Sequence, residues 1–192
     1  MNEILQLVSR TVTDPASVAQ SLKQRSFETQ TLWMGLVLVS VLSVLLLAVS
    51  NALLPASVPE GAIVLSPFAY GAIIAVSIVM LVYAVHLVGR FFGGTGTFPQ
   101  TMALMIWLQV LAMAVQVIQI VTMLILPPLA GIVSLAGVFL MLYCLAQFIN
   151  VLHNFDSLLK AIGVFIVAVV AIGIVLAVVL SFLGVTLATV PA

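Results

Sequence analysis

Charge is what this chain has least of. Five Lys/Arg and five Asp/Glu among 192 residues make it 5% charged, where a soluble globular domain carries about 25%. So few charges cannot clothe a water-exposed surface, and lipid must be the solvent for most of the chain. The formal net charge is zero, so there is neither a basic surface for nucleic acid nor an acidic tail, and no nucleic-acid partner is expected. Cysteine is nearly absent. Cys144 stands alone, which rules out an intrachain disulfide, and its place in an apolar run marks it as a small buried hydrophobe. Signatures of catalysis and cofactor binding are also missing. There is no His-Glu-x-x-His, no paired-cysteine motif, no Gly-Lys-Ser/Thr phosphate loop and no serine elbow. The expectation is therefore no enzyme, no catalytic residue, no cofactor and no metal. A cleavable leader is not expected either. The first apolar run begins near Thr31, after mixed polar sequence, and its length of about 24 residues exceeds the roughly 7–15 of a secretory h-region. No lipidation motif appears: Asn2 is not glycine, and the end reads Thr189-Val190-Pro191-Ala192.

What the chain does have is apolar length, at 65% hydrophobic residues. Five runs stand out: Thr31–Leu54, Pro67–Gly89, Thr101–Leu126, Leu129–Asn150 and Leu158–Leu187. Each exceeds the roughly 20 residues that cross a 30 Å hydrocarbon core at 1.5 Å per residue. None alternates as a barrel strand would, so all five are predicted to be helices. The fold class is all-α: a polytopic membrane bundle with five transmembrane helices over residues 31–187. Connections are short. Residues 55–66 hold Pro55, Pro59, Glu60 and Gly61; Pro127-Pro128 makes a tight turn; 151–157 hold His153 and Asp156.

Residues 1–30 form the one sizeable aqueous segment. Ile4, Leu5, Val8 and Val12 recur at helical spacing. Thr13 or Asp14 can cap a second helix that starts at Pro15 and runs to about residue 24. Both helices are expected to lie against the membrane surface. With this amphipathic segment in the cytoplasm, Arg10, Lys23, Arg25, Arg90 and Lys160 all fall inside and no Lys or Arg falls outside. That orientation leaves the C-terminus external.

The most glycine-dense stretch is Gly89-Arg90-Phe91-Phe92-Gly93-Gly94-Thr95-Gly96-Thr97-Phe98-Pro99-Gln100, between the second and third runs. Its glycines suggest a phosphate cradle, but no strand precedes it and no lysine ends it, so it reads as a turn. With Leu152-His153-Asn154-Phe155-Asp156-Ser157, Lys160-Ala161, the Asp14-Pro15 helix start and five spans, it resembles the bacterial branch of the Yip-one domain family (Ypt-interacting proteins), over roughly residues 10–187. The resemblance implies a five-span protein with a cytoplasmic N-terminus, found in the bacterial inner (plasma) membrane. Eukaryotic members associate with one another and with prenylated Rab-type GTPases in vesicle traffic. The Asp-Leu-Tyr-Gly-Pro motif of those members is absent, and Met105-Ile106-Trp107-Leu108 stands where a Gly-Tyr motif belongs. GTPase binding is therefore not carried over.

Three groups of side chains stand out. Topology brings His86, Arg90, His153, Asp156 and Lys160 to the cytoplasmic face, either as a metal or proton-relay site or as interfacial residues bonded to backbone and headgroups. Gln109, Gln116 and Gln119 fall within an arc of about 80° on the third span. In lipid they must face protein or water, so they form either interhelical hydrogen bonds or a polar path. Gly173, Ala177 and Ser181 repeat every fourth residue on the fifth span, a pattern that permits close helix approach within the bundle or between copies. The expected partners are the lipid bilayer and, through helix packing, a second copy or another membrane protein. The functional expectation is a membrane-organising or partner-binding scaffold; the rival is a small channel or transporter built on the glutamine stripe.

Overall fold

The computed structural model describes residues 2–54 and 65–182, and these residues are helical apart from short connections. The helices are α1 (Asn2–Thr13), α2 (Pro15–Gln24), α3 (Thr29–Leu53), α4 (Pro67–Phe91), α5 (Phe98–Ile125), α6 (Ala130–His153) and α7 (Leu158–Phe182), with a single 3-10 turn at Pro127–Leu129. The helices α3 to α7 are each long and apolar enough to cross a membrane. Pro55, Pro59, Glu60, Gly61 and the end of the fifth run, residues 183–187, lie outside the described residues.

Local chemistry sets the boundaries. Asp14 caps α2, its carboxylate accepting from the Ser17 N–H at 3.1 Å, with Pro15 in the first helical position. Ser66 caps α4 ahead of Pro67. Thr97 opens α5 through a capping box: the Thr97 N–H donates to Gln100 Oε1 at 3.0 Å, and the Gln100 N–H donates to Thr97 Oγ1 at 3.5 Å. That box makes Pro99 a first-turn residue. The third span therefore begins three residues earlier than hydropathy alone places it. At its other end α6 runs on through His153 and stops at Asn154, whose φ of 53° is left-handed. The Phe155 N–H then closes on the Asn150 carbonyl at 3.0 Å.

α4, α5, α6 and α7 form a ring in which each packs on the next, and α3 lies against α4 and α5. The head joins this bundle. α2 packs on α6 and α5 with Pro15, Val18 and Ala19 buried, so its apolar side meets protein where a lipid surface was expected. α1 packs chiefly on α2. The end of the bundle that receives the head also gathers Arg10, Lys23, Arg25, Arg90 and Lys160; it is termed the basic end below.

Burial is sharply polarised along the bundle axis. The buried residues of α3 are Leu32, Leu36, Val39, Ser40 and Ser43, from its first turn at the basic end to just past its middle. In α4 they are Ile78, Val82, Val85 and Gly89, in its last half. In α5 they run from Thr101 to Leu111, with Ile120 the outlier. In α6 they run from Cys144 to His153, with Gly137 alone in the first half. In α7, Ala161, Val164 and Ala168 are buried. Toward the far end the helices part, leaving apolar crevices of about 440 Å³ between α3 and α4 and about 710 Å³ between α4 and α7.

Candidate functional site

His153 is the hub of the basic end. It is the last residue of α6 and is 1% exposed. A methyl group at Gly89 would overlap the ring at Nε2, and one at Gly94 would overlap it at Nδ1. At Gly96 a Cβ would come within 2.7 Å of Leu152 Cγ and 3.0 Å of the Leu152 carbonyl. The glycines of the loop are therefore a mould for the end of α6. Only hydrogen at Cα lets the α4 terminus and the loop close on both edges of the imidazole. Gly93, at φ 82°, makes the turn that brings the loop back. The Gly94 N–H donates to the Gly89 carbonyl at 2.8 Å, and the Thr95 N–H donates to the His153 carbonyl at 3.3 Å. The ring stacks on Phe155, centroids 5.4 Å apart and 22° between planes, and Lys160 Nζ lies 4.6 Å from the Phe155 centroid.

Among the described residues, no partner meets either ring nitrogen of His153, or Nδ1 of His86, in good hydrogen-bond geometry. His86 sits one turn before Gly89 and meets the edge of Phe98 at 6.0 Å. This arrangement does not suit a metal. The imidazole edges of His153 are closed by glycine backbone, and no group of three His, Cys, Asp or Glu side chains converges among the described residues. Arg90 and Asp156 are exposed, and Arg90 does not join the His153 cradle. Of the predicted cluster, His153 and Lys160 share the stack on Phe155, while His86 stands beside it on α4.

The head is tied to this hub by bonds that sequence reading did not find. Lys23 Nζ donates to the Val151 carbonyl and to Asn154 Oδ1, each at 2.7 Å. Asn154 Nδ2 donates to Thr95 Oγ1 at 2.6 Å, and Gln100 Nε2 donates to the Lys23 carbonyl at 3.1 Å. One lysine thus links α2, the α6 terminus, the glycine loop and the start of α5. Burial holds the Lys23 ammonium below the usual lysine range, and both of its partners are uncharged. Deeper in, Trp107 Nε1 donates to Thr11 Oγ1 at 3.0 Å, and the Cys144 thiol lies 3.6 Å from the Thr11 carbonyl. Trp107 is nine residues into α5, roughly 13 Å at the helical rise, so the end of α1 enters the bundle to that depth.

Residues 9–180 match the family model described as the Yip1 domain. The chain belongs to the Yip1 domain family. No curated protein and no solved structure matches it. The Yip1-domain match starts inside α1 and takes in α2 together with the five long helices, the same residues that the Lys23 and Thr11 contacts hold together.

The glutamine stripe of this Yip1-domain protein divides. Gln109 Nε2 donates to Ser43 Oγ on α3 at 3.1 Å. Gln116 and Gln119 instead line a crevice of about 360 Å³ between α5 and α6, beside Gly137 and Met141. The small-residue stripe of α7 faces outward: Gly173, Ala177 and Ser181 are exposed, and a Cβ at Gly173 would meet nothing within 4 Å. Close approach within the bundle occurs elsewhere, at Gly71, where a Cβ would lie 3.1 Å from Val44 Cγ2, and at Gly137, where one would lie 2.7 Å from Val115 Cγ1.

Proposed function

We propose that this Yip1-domain protein is a non-enzymatic scaffold that organises a membrane or holds partner proteins, with the basic end as its working face on the cytoplasmic side. The observation that supports this reading is the Lys23 network, which ties the head, the glycine loop and the α6 terminus into one ordered surface. That surface presents exposed groups of both kinds: Ile4, Leu5 and Phe91 are 60%, 62% and 87% exposed, and Arg10, Arg25 and Arg90 are exposed at the same end. A surface built by interlocking four chain segments suits recognition of a partner. Orientation follows from the clustering of all Lys and Arg at this end, and a bacterial plasma membrane is the setting that the sequence resemblance favours.

Site-specific photocrosslinking in native membranes tests the reading. Probes at Leu5 and Phe91 should give discrete protein adducts, and a probe at lipid-facing Leu135 should not. Adducts of equal yield at Leu135, or none at the basic end, would count against the scaffold. The rival, solute passage along the α5 stripe, draws support from Gln116 and Gln119 lining one crevice. The pairing of Gln109 with Ser43 weighs against it, because a continuous polar path needs all three amides free. Reconstituted vesicles that swell or leak small polar solutes only with wild-type protein, and not with Gln116→Leu, would favour the rival.

A further inference from the structure

A cleft of about 350 Å³ opens at the basic end between the α2–α3 connection and the start of α5. Lys23, Arg25, Phe27, Thr97 and Gln100 line it, and none of its lining residues is acidic. The Arg25 side chain is exposed; the Lys23 ammonium is half-buried and donates to the Val151 carbonyl and Asn154 Oδ1, neither of which lines the cleft, with no counter-ion among the described residues. The exposed Arg25 guanidinium offers the paired N–H donors that phosphate oxygens accept, and the uncompensated Lys23 charge two residues away adds attraction for an anion.

We infer that this cleft binds the phosphate of an anionic phospholipid headgroup. Two features favour a lipid over a soluble phosphate. The cleft lies where α3 and α5 begin, at Thr29 and Phe98, the ends of two candidate spans. Phe27 and Pro99 also form an apolar wall beside the cations, as the glycerol and upper acyl segments of a lipid require. The α5 terminus contributes little: its capping box already occupies the Thr97 and Gln100 N–H groups. Lys23 serves both the cleft and the bundle, so Arg25 carries the specific test.

The experiment is native mass spectrometry of the full chain released from nanodiscs of phosphatidylcholine with added phosphatidylglycerol. Wild type should retain phosphatidylglycerol. Arg25→Ala should retain it about fivefold less, the loss expected for one arginine at a membrane surface. Arg10→Ala, at an exposed position outside the cleft, should match wild type. Equal retention by Arg25→Ala and wild type would overturn the site. So would equal loss in both variants, which would reduce the effect to general surface charge. A parallel arm adds soluble glycerophosphate; if it displaces phosphatidylglycerol fully at equal concentration, the cleft recognises free phosphate and the lipid assignment fails.

Discussion

The basic end and the far end are the two ends of the same five long helices, yet one is closed by the head and the loop and the other is parted. Lipid explains why they can differ. In a bilayer the hydrophobic effect does not drive helix against helix, because acyl chains are as apolar as leucine. Helices meet where small residues and hydrogen bonds make contact better than lipid does. Most such contacts lie toward the basic end: Gly89, Gly94 and Gly96 around His153, Thr11 with Trp107, and Lys23 with Asn154, while Ser43 with Gln109 sits at mid-span and the far half adds Gly71 against Val44 and Gly137 against Val115. The far half has mostly Leu, Val, Ile and Phe facing outward, among them Leu135 at 59% and Phe139 at 64% exposure. The lesson is that glycine, hydroxyl and amide placement, rather than hydropathy, decides where this bundle closes.

The cradle offers the largest effect. Gly89→Val should destabilise the protein by about 3 kcal/mol, through overpacking against His153, read as loss of folded monomer on heating in detergent. Adding His153→Ala should recover most of that loss. If the double variant is as damaged as the single one, the fit between loop and imidazole does not hold the end shut. Next in size is a matched pair of truncations. Phe148→Ala, at a fully buried site, should cost about 3 kcal/mol from the cavity it leaves. Leu135→Ala should change stability by less than about 0.5 kcal/mol. Similar costs at both sites would erase the contrast between the ends.

Lys23→Met removes two hydrogen bonds and should cost about 2 kcal/mol. It also carries a pH signature. Because burial lowers the Lys23 pKa in the folded protein, the unfolded chain binds more protons between that lowered value and the ordinary lysine range. Wild-type stability should therefore rise with pH through this alkaline window, and Lys23→Met should lose that rise. A wild-type thermal midpoint that falls there relative to the variant would reverse the assignment. The smallest effect separates the glutamines. Gln109→Leu should cost about 0.6 kcal/mol through its lost bond to Ser43, whereas Gln116→Leu should be neutral or slightly stabilising, since its amide lines the α5–α6 crevice and pairs with no side chain or backbone group among the described residues. An equal cost for both would mean that the α5–α6 crevice is packed more tightly than its geometry indicates.

Hydropathy places the five long helices within a few residues, and Asp14-Pro15 marks the start of α2. The shortfalls are local and have causes. The third span starts early because a Thr97–Gln100 box turns Pro99 into a helical residue, and a polar first turn carries no hydropathy signal. The glycine loop reads as a plain turn because its partner, His153, is more than fifty residues away in the chain. Nothing in the spacing of Gly89, Gly94 and Gly96 names that ring. Lys23 and Thr11 look like ordinary residues of an amphipathic head, and their partners lie on α5 and α6. Topology brings the His86, Arg90, His153, Asp156 and Lys160 group to one end, but topology alone does not say which side chains touch.

By itself, the sequence determined that this is a multi-pass helical membrane protein with its cations gathered at one end. Those properties follow from composition and run length, which any arrangement of the helices would preserve. Only the tertiary structure decided that the head enters the bundle, that the glycines mould to His153, and that the glutamine stripe splits between a hydrogen bond and a crevice. Each of those depends on which atoms lie within a few ångströms of one another across distant segments, and packing sets that proximity where the linear pattern cannot.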